Sequence, residues 1–224
     1  MTTKSKSDTF AGRSGHAIDG TVAEAAEAYV RALIAQGVDY LFLNPGTDTI
    51  PIQEALSKLE AQGHAVPRTV LCLFELVALA AAHGYYAATG RAQAVLVHVD
   101  VGTQNLGGML HNAQRGRAAV LICAGRTPIT SDGRHRGFRD TYIHWLQEQF
   151  DQHGIVRNFV KWDYELRRPE QMGESIARAF QIATSGPGSK PWCSGWLVGK
   201  FTRSRRSTIG SARSSARRTS PEKP

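Results

Sequence analysis

No apolar stretch among the 224 residues reaches the roughly 18 that a membrane span needs, so the sequence predicts no transmembrane helix and no membrane partner. The first 20 residues, MTTKSKSDTFAGRSGHAIDG, lack the apolar core of a secretory signal, and a cytoplasmic protein is the expectation. Cysteine is scarce. Cys72, Cys123 and Cys193 are too few and too scattered for a disulfide framework or a zinc site. The first two fall in apolar runs, where a thiol is an inert core residue. The phosphate-binding fingerprints GxGxxG and GxxxxGK are both absent.

Acidic residues are nearly missing from one region. From Ser189 onward Glu222 stands alone against nine Lys and Arg residues. Taking those nine cations and one anion from the totals of 27 and 19 leaves 18 of each sign. The net charge of +8 therefore belongs to a Ser/Arg-rich tail with little to bury, and the body is neutral. Nucleic-acid binding through that tail stays an alternative reading only. No aromatic interleaving or folded recognition element supports it.

The rest of the chain is rich in regular pattern. Thr21 opens a helix with Glu24 as its capping-box partner, and Ala23, Ala26, Val30, Leu33 and Ile34 form its apolar face. Gly37 ends it. VDYLFLN reads as a buried strand broken by PGTD, and a helix over 51–62 follows. TVLCLF is the next strand, running into an alanine-rich helix over 75–89 that Gly90 stops. AVLVHV is a third strand, DVGTQN a tight turn into a helix reaching Gln114, and AAVLICAG a fourth strand. Residues 126–151 form a long charged excursion with a short helix around HWLQEQF. RNFVKWDYEL gives a further strand and 169–183 the last helix. Strands alternating with helices, without clean period-two alternation, predict an α/β fold: a mostly parallel sheet of five or six strands with helices on both faces. Ligands bind beyond the carboxyl ends of such strands. Three breaks fall there: NPGTD, Glu75 and DVGTQN.

Glu75 is the unusual residue. Val70, Leu71, Leu73, Leu76 and Leu79 all favour burial and are expected to carry the carboxylate inside with them, where it needs a partner. In GTQN, Gly102 allows close backbone approach to a ligand and Asn105 supplies a side-chain amide.

Four motifs in order, NPG, FE before a helix ending GYYAATG, GTQN and AVLICAG, resemble the N-terminal pyrimidine-binding domain of thiamine-diphosphate enzymes. The acetolactate synthase-like and benzoylformate decarboxylase-like branches are the most similar. The resemblance implies that Glu75 hydrogen-bonds the cofactor's aminopyrimidine ring and that Asn44, Pro45, Gly46, Gly102 and Asn105 line the cofactor site. It also implies that His98 transfers protons at a 2-keto acid substrate, with Thr47 touching the substrate carboxylate. The chain departs from the acetolactate synthase pattern at Asp100, where DVG replaces GPG. The paired histidines of pyruvate decarboxylases are missing.

Full members of that family have three domains, and the last binds the diphosphate through magnesium with a GDG…N run. This sequence contains no such run and no metal ligands are expected in it. The resemblance therefore implies half a thiamine diphosphate site, inactive alone, paired with a homo-oligomer copy or a full-length paralogue. A non-catalytic interaction domain is the alternative. The sequence reading divides the chain into a flexible N-terminus (1–20), the pyrimidine-binding domain (21–188) and a basic tail (189–224) that is loose or read out of frame.

Overall fold

The computed structural model describes residues 25–133 and 138–185 and the backbone of 194–199. The expected Thr21–Glu24 capping box lies outside them. Helix α1 (Ala25–Ala35) leads to strand β1 (Tyr40–Leu43), a 3-10 turn (Thr47–Thr49) and helix α2 (Ile50–Ala61). Strand β2 (Arg68–Leu71), helix α3 (Glu75–Thr89) and strand β3 (Gln93–Val97) follow. Helices α4 (Val99–Gln104) and α5 (Gly107–Arg115) precede strand β4 (Val120–Ala124). Helices α6 (Ile143–Leu146) and α7 (Gln152–Val156), strand β5 (Trp162–Leu166), helix α8 (Met172–Thr184) and strand β6 (Ser194–Gly199) complete the order.

The six strands form one parallel sheet in the order β2-β1-β3-β4-β6-β5. Successive strand residues face opposite sides, and both sides are apolar. Leu41, Leu43, Ala94, Leu96, Leu121 and Cys123 pack under α1, α2 and α8. Phe42, Val95, Val97, Val120, Ile122 and Ala124 pack under α3 and α5. Double coverage explains why these strands read as continuous apolar runs. Burial pushes the Cys123 thiol up to about 12, consistent with an inert core residue.

Two polar side chains taken into this core, Gln93 and Glu27, are partnered. Gln93 is fully buried, and its Oε1 accepts from the backbone N–H of Asp39 (2.9 Å) and Tyr40 (2.8 Å), fixing the start of β1. Glu27 binds Arg31 one helical turn on and Lys58 of α2, at 2.8 Å each. The Lys58 hydrogen bond, which outweighs burial, holds the Glu27 carboxyl below its usual range.

Three expectations need correction. The sheet continues past residue 188: Ser194–Gly199 pairs between β4 and β5, inside what the sequence reading assigned to the tail. DVGTQN lies in a helix rather than a tight turn, with His98 as the extended residue before it. Leu71 is exposed on β2, an edge strand, and Leu73, in the bend after it, is 90% exposed. Glu75 is nonetheless buried, with Gly102 of α4 against its side chain.

Candidate functional site

The chain passes from β1 outward to β2 and returns to β3 on the other side of β1, so the sheet has a switch point between β1 and β3. Crevices at such points, beyond the carboxyl ends of the strands, are where open parallel sheets bind ligands. The loop 44–46 follows β1 there, Glu75 opens α3 after β2, and His98 follows β3.

Two clusters occupy this edge. In the first, Glu75 is 4% exposed and its Oε2 accepts from Asn105 Nδ2 at 3.0 Å. Its Oε1 lies against Gly102, where a Cβ would come within 3.0 Å of it and 3.3 Å of Val97 Cβ. A side chain at 102 would crowd the carboxylate and require it or Val97 to give by a few tenths of an ångström. Among the described residues Oε1 accepts no hydrogen bond, so the carboxylate is anchored by one oxygen and has the other to offer.

In the second cluster, His98 Nδ1 lies 2.5 Å from Asp48 Oδ1. Asp48 Oδ2 accepts from the Val99 N–H at 3.3 Å. The pair fits only because two neighbours lack side chains: a Cβ on Gly46 would overlap the His98 ring, and one on Gly125 would overlap the Asp48 carboxylate. The Asp48 hydrogen bond raises the His98 pKa, burial opposes it, and the charges of Asp48, Asp100 and Glu75 add to the rise. The field of Glu75 at His98 joins the two clusters electrostatically.

A third group supports both. Gln152 Nε2 donates to Val99 O (3.1 Å), Thr103 Oγ1 (3.0 Å) and Gly125 O (3.1 Å), tying α7 to α4 and to the end of β4. Asp100 is 8% exposed; its Oδ2 accepts from Gln149 at 3.1 Å, while Oδ1 has no partner among the described residues.

The residues singled out from sequence thus divide. Glu75, Gly102 and Asn105 come together, and so do Gly46 and His98. Asn44 is half-buried and Pro45 exposed in the same loop. Thr47 is exposed at the start of the 3-10 turn. The turn is closed by Thr49, whose hydroxyl accepts from Gly46 N at 3.1 Å and donates to Gly46 O at 2.8 Å. Sequence reasoning missed Asp48, Gln149 and Gln152. Asp48 was visible in NPGTD beside Thr47, but its partner lies 50 residues away; nothing in the sequence marked the two glutamines.

The raised His98 gives an expected pH dependence. The extra stabilisation that Asp48 gives the charged ring is present in full below the ordinary imidazole pKa of about 6.5 and is lost as pH rises through the higher folded value. His153, lowered chiefly by burial, acts in the opposite sense and in the adjoining range, its contribution being lost as pH falls from about 6.5 through its lower folded value. Comparison of wild type with Asp48→Asn cancels His153. The stability difference in urea titrations is expected to be larger at about pH 5.5 than at about pH 8.5; a difference independent of pH would contradict the pairing.

The fold is similar to that of a Mycobacterium smegmatis protein described as a thiamin diphosphate-dependent enzyme (TM-score 0.63, 24% identity, 88% of this chain and 34% of the other). It is likewise similar to the thiamine diphosphate-dependent 4-hydroxybenzoylformate decarboxylase of Rhodococcus jostii RHA1 (TM-score 0.63, 23% identity, 81% of this chain and 31% of the other). Residues 23–155 match the family described as thiamine pyrophosphate enzyme, N-terminal TPP binding domain, and the chain belongs to that family. IlvX of Mycobacterium tuberculosis, whose name places it among acetolactate synthase large subunits, is 41% identical over 163 residues, 72% of this chain and 28% of the relative. The acetolactate synthase large subunit of Parasynechococcus marenigrum is 31% identical over 186 residues, 83% of this chain and 28% of the relative. The chain thus spans little more than a quarter of the length of these curated relatives. Among the described residues, no helix is long and apolar enough to cross a membrane.

Proposed function

We propose that the pyrimidine-binding domain of this chain supplies the aminopyrimidine-facing wall of a thiamine diphosphate site in an enzyme acting on 2-keto acids, by decarboxylation or by acetolactate synthase-like transfer. The observation that carries this reading is the Glu75 carboxylate, buried, anchored through Oε2 by Asn105 and offering Oε1 beside Gly102. That donor set fits the cofactor: a water-excluded carboxylate oxygen makes a strong, directed partner for a ring nitrogen. When bound, the cofactor supplies an electron sink next to a keto carbon.

The chain's own residues have separate tasks. Asn105 orients Glu75. Gly102 and the loop 44–46 let backbone approach the ring. His98 holds and returns a proton at the substrate, a task suited to an imidazole titrating near neutral pH. The exposed Thr47 hydroxyl can donate to the substrate carboxylate.

The diphosphate and its magnesium are assigned to a second wall carried by a partner, either another copy or a full-length paralogue. Exposed Leu73, Phe74, Val77 and Val101 flank Glu75 and Gly102 and favour such a partner. The 224-residue chain alone is then expected to turn over no 2-keto acid.

Titration calorimetry at millimolar thiamine diphosphate tests the reading. Binding is expected to be weak, indifferent to magnesium and lost in Glu75→Ala. Magnesium-dependent micromolar binding by the chain alone would contradict it.

A further inference from the structure

Asp48 lies outside the cofactor cluster, yet it makes a short polar contact with His98. An imidazole nitrogen and a carboxylate oxygen 2.5 Å apart must share a hydrogen, since two bare lone pairs would repel at that distance. An ionised carboxylate can only accept, so the proton belongs to Nδ1. The hydrogen bond at one ring nitrogen fixes which tautomer the neutral ring adopts.

We propose that Asp48 is a positioning residue for His98: it keeps the proton on Nδ1 and so reserves Nε2 as the atom that exchanges a proton with the substrate. The inference rests on the reading that His98 transfers protons, and it adds the atom and the residue that selects it.

Three observations make the pair a built feature. Its carboxylate is held twice, by His98 and by the Val99 N–H at 3.3 Å, so it cannot rotate away without losing both contacts. Its space is cut by Gly46 from the loop after β1 and by Gly125 after β4; a methyl at either position would strike the ring or the carboxylate. Gly125 in turn is fixed, its N–H donating to Val97 O at 3.2 Å and its carbonyl accepting from Gln152. His98 remains 24% exposed, and Nε2 makes no hydrogen bond among the described residues.

The proton balance is simple. When the imidazolium gives up the Nε2 proton, the substrate gains it and the ring becomes the neutral Nδ1–H tautomer, already paired with Asp48. Return of the proton to Nε2 restores the imidazolium. Without Asp48 the neutral ring could equally carry its proton on Nε2, and half of the cycle would start from the wrong tautomer. An aspartate working through a histidine in this way acts on tautomer and orientation and is not itself protonated. The charged groups facing His98 are Asp48 from the 3-10 turn, Asp100 from α4 and Glu75 from α3, and all three favour the imidazolium.

Nitrogen-15 NMR of the histidine-labelled full chain tests this, with His98 assigned by its absence in His98→Gln. In wild type the neutral His98 ring is expected as the Nδ1–H tautomer. In Asp48→Asn its protonation constant is expected to fall about tenfold, a shift of about one pH unit. Circular dichroism reports whether that variant folds. If it does not, the wild-type tautomer decides by itself. An Nε2–H tautomer in wild type, or an unchanged His98 titration in folded Asp48→Asn, overturns the proposal. Thiamine diphosphate binding through Glu75 is read separately by calorimetry, so a failure of the cofactor reading leaves this result standing and the reverse holds too.

Discussion

Glu75→Gln, placed in a complete relative whose N-terminal domain is exchanged for that of this chain with strand β6 included, is expected to slow hydrogen–deuterium exchange at the thiazolium C2 of bound cofactor by about 10²- to 10⁴-fold, the range that a positioned acid or base contributes. Glutamine has nearly the same shape as glutamate. It can still accept from Asn105 Nδ2 and stand beside Gly102, so the local packing is retained. What it loses is the capacity to carry negative charge and to share a proton with a ring nitrogen. Unchanged far-ultraviolet circular dichroism with slowed exchange is the expected pair of results. Unchanged exchange would remove Glu75 from the chemistry and leave it a structural carboxylate.

The second large effect concerns the platform under the site. Leu96 lies on β3, fully buried, with Leu43 of β1 on one side and Cys123 of β4 on the other. It packs in the core beneath α1, α2 and α8, and the chain reaches His98 two residues later. Leu96→Ala removes apolar volume where backbone pairing on both edges restricts collapse, so the cavity term should persist. A cost of about 3 kcal/mol is expected, within the 2–5 kcal/mol usual for such truncations. For a domain of this size that corresponds to a melting temperature lower by about 6–12 °C. Thermal unfolding followed by circular dichroism measures it. A loss below about 1 kcal/mol would mean that the sheet centre is less tightly packed than its burial indicates.

Most of the fold was legible because apolar periodicity and glycine stops act locally. Gly37 and Gly90 mark helix ends, and both adopt the left-handed backbone that stops require. The helix over 75–89 is matched by α3, Glu75–Thr89. What failed depended on position in the sheet. TVLCLF looks as apolar as AVLVHV, yet β2 is an edge strand and exposes Leu71, while β3 is buried throughout. Ser194–Gly199 runs between two strands, and its short apolar run WLVG was outweighed by the serine- and arginine-rich text around it. RNFVKWDYEL contracted to Trp162–Leu166 because 157–159 still belong to the turn leaving α7.

The site divides along the same line. Glu75 could be noticed because a lone carboxylate in apolar text needs an explanation. Gly102 and Asn105 could be noticed as glycine-rich punctuation before a helix. Asp48 could not be weighed, since an aspartate in PGTD reads as ordinary turn chemistry until the sheet brings His98 to it. Gln152 reads as a polar helix residue until three acceptors converge on its amide.

The central claim is that the cofactor's ring is met between Glu75 and Gly102. Amide chemical-shift mapping of the nitrogen-15-labelled chain during titration with thiamine diphosphate tests it most directly. The account predicts saturable shifts of the Gly102 N–H and the Asn105 side-chain amide that disappear in Glu75→Ala, while Ser175 and Ile176 on α8 stay still. Shifts confined to the basic residues 189–224, with Gly102 and Asn105 unmoved, would mean that the chain holds the diphosphate by charge alone and would contradict the site.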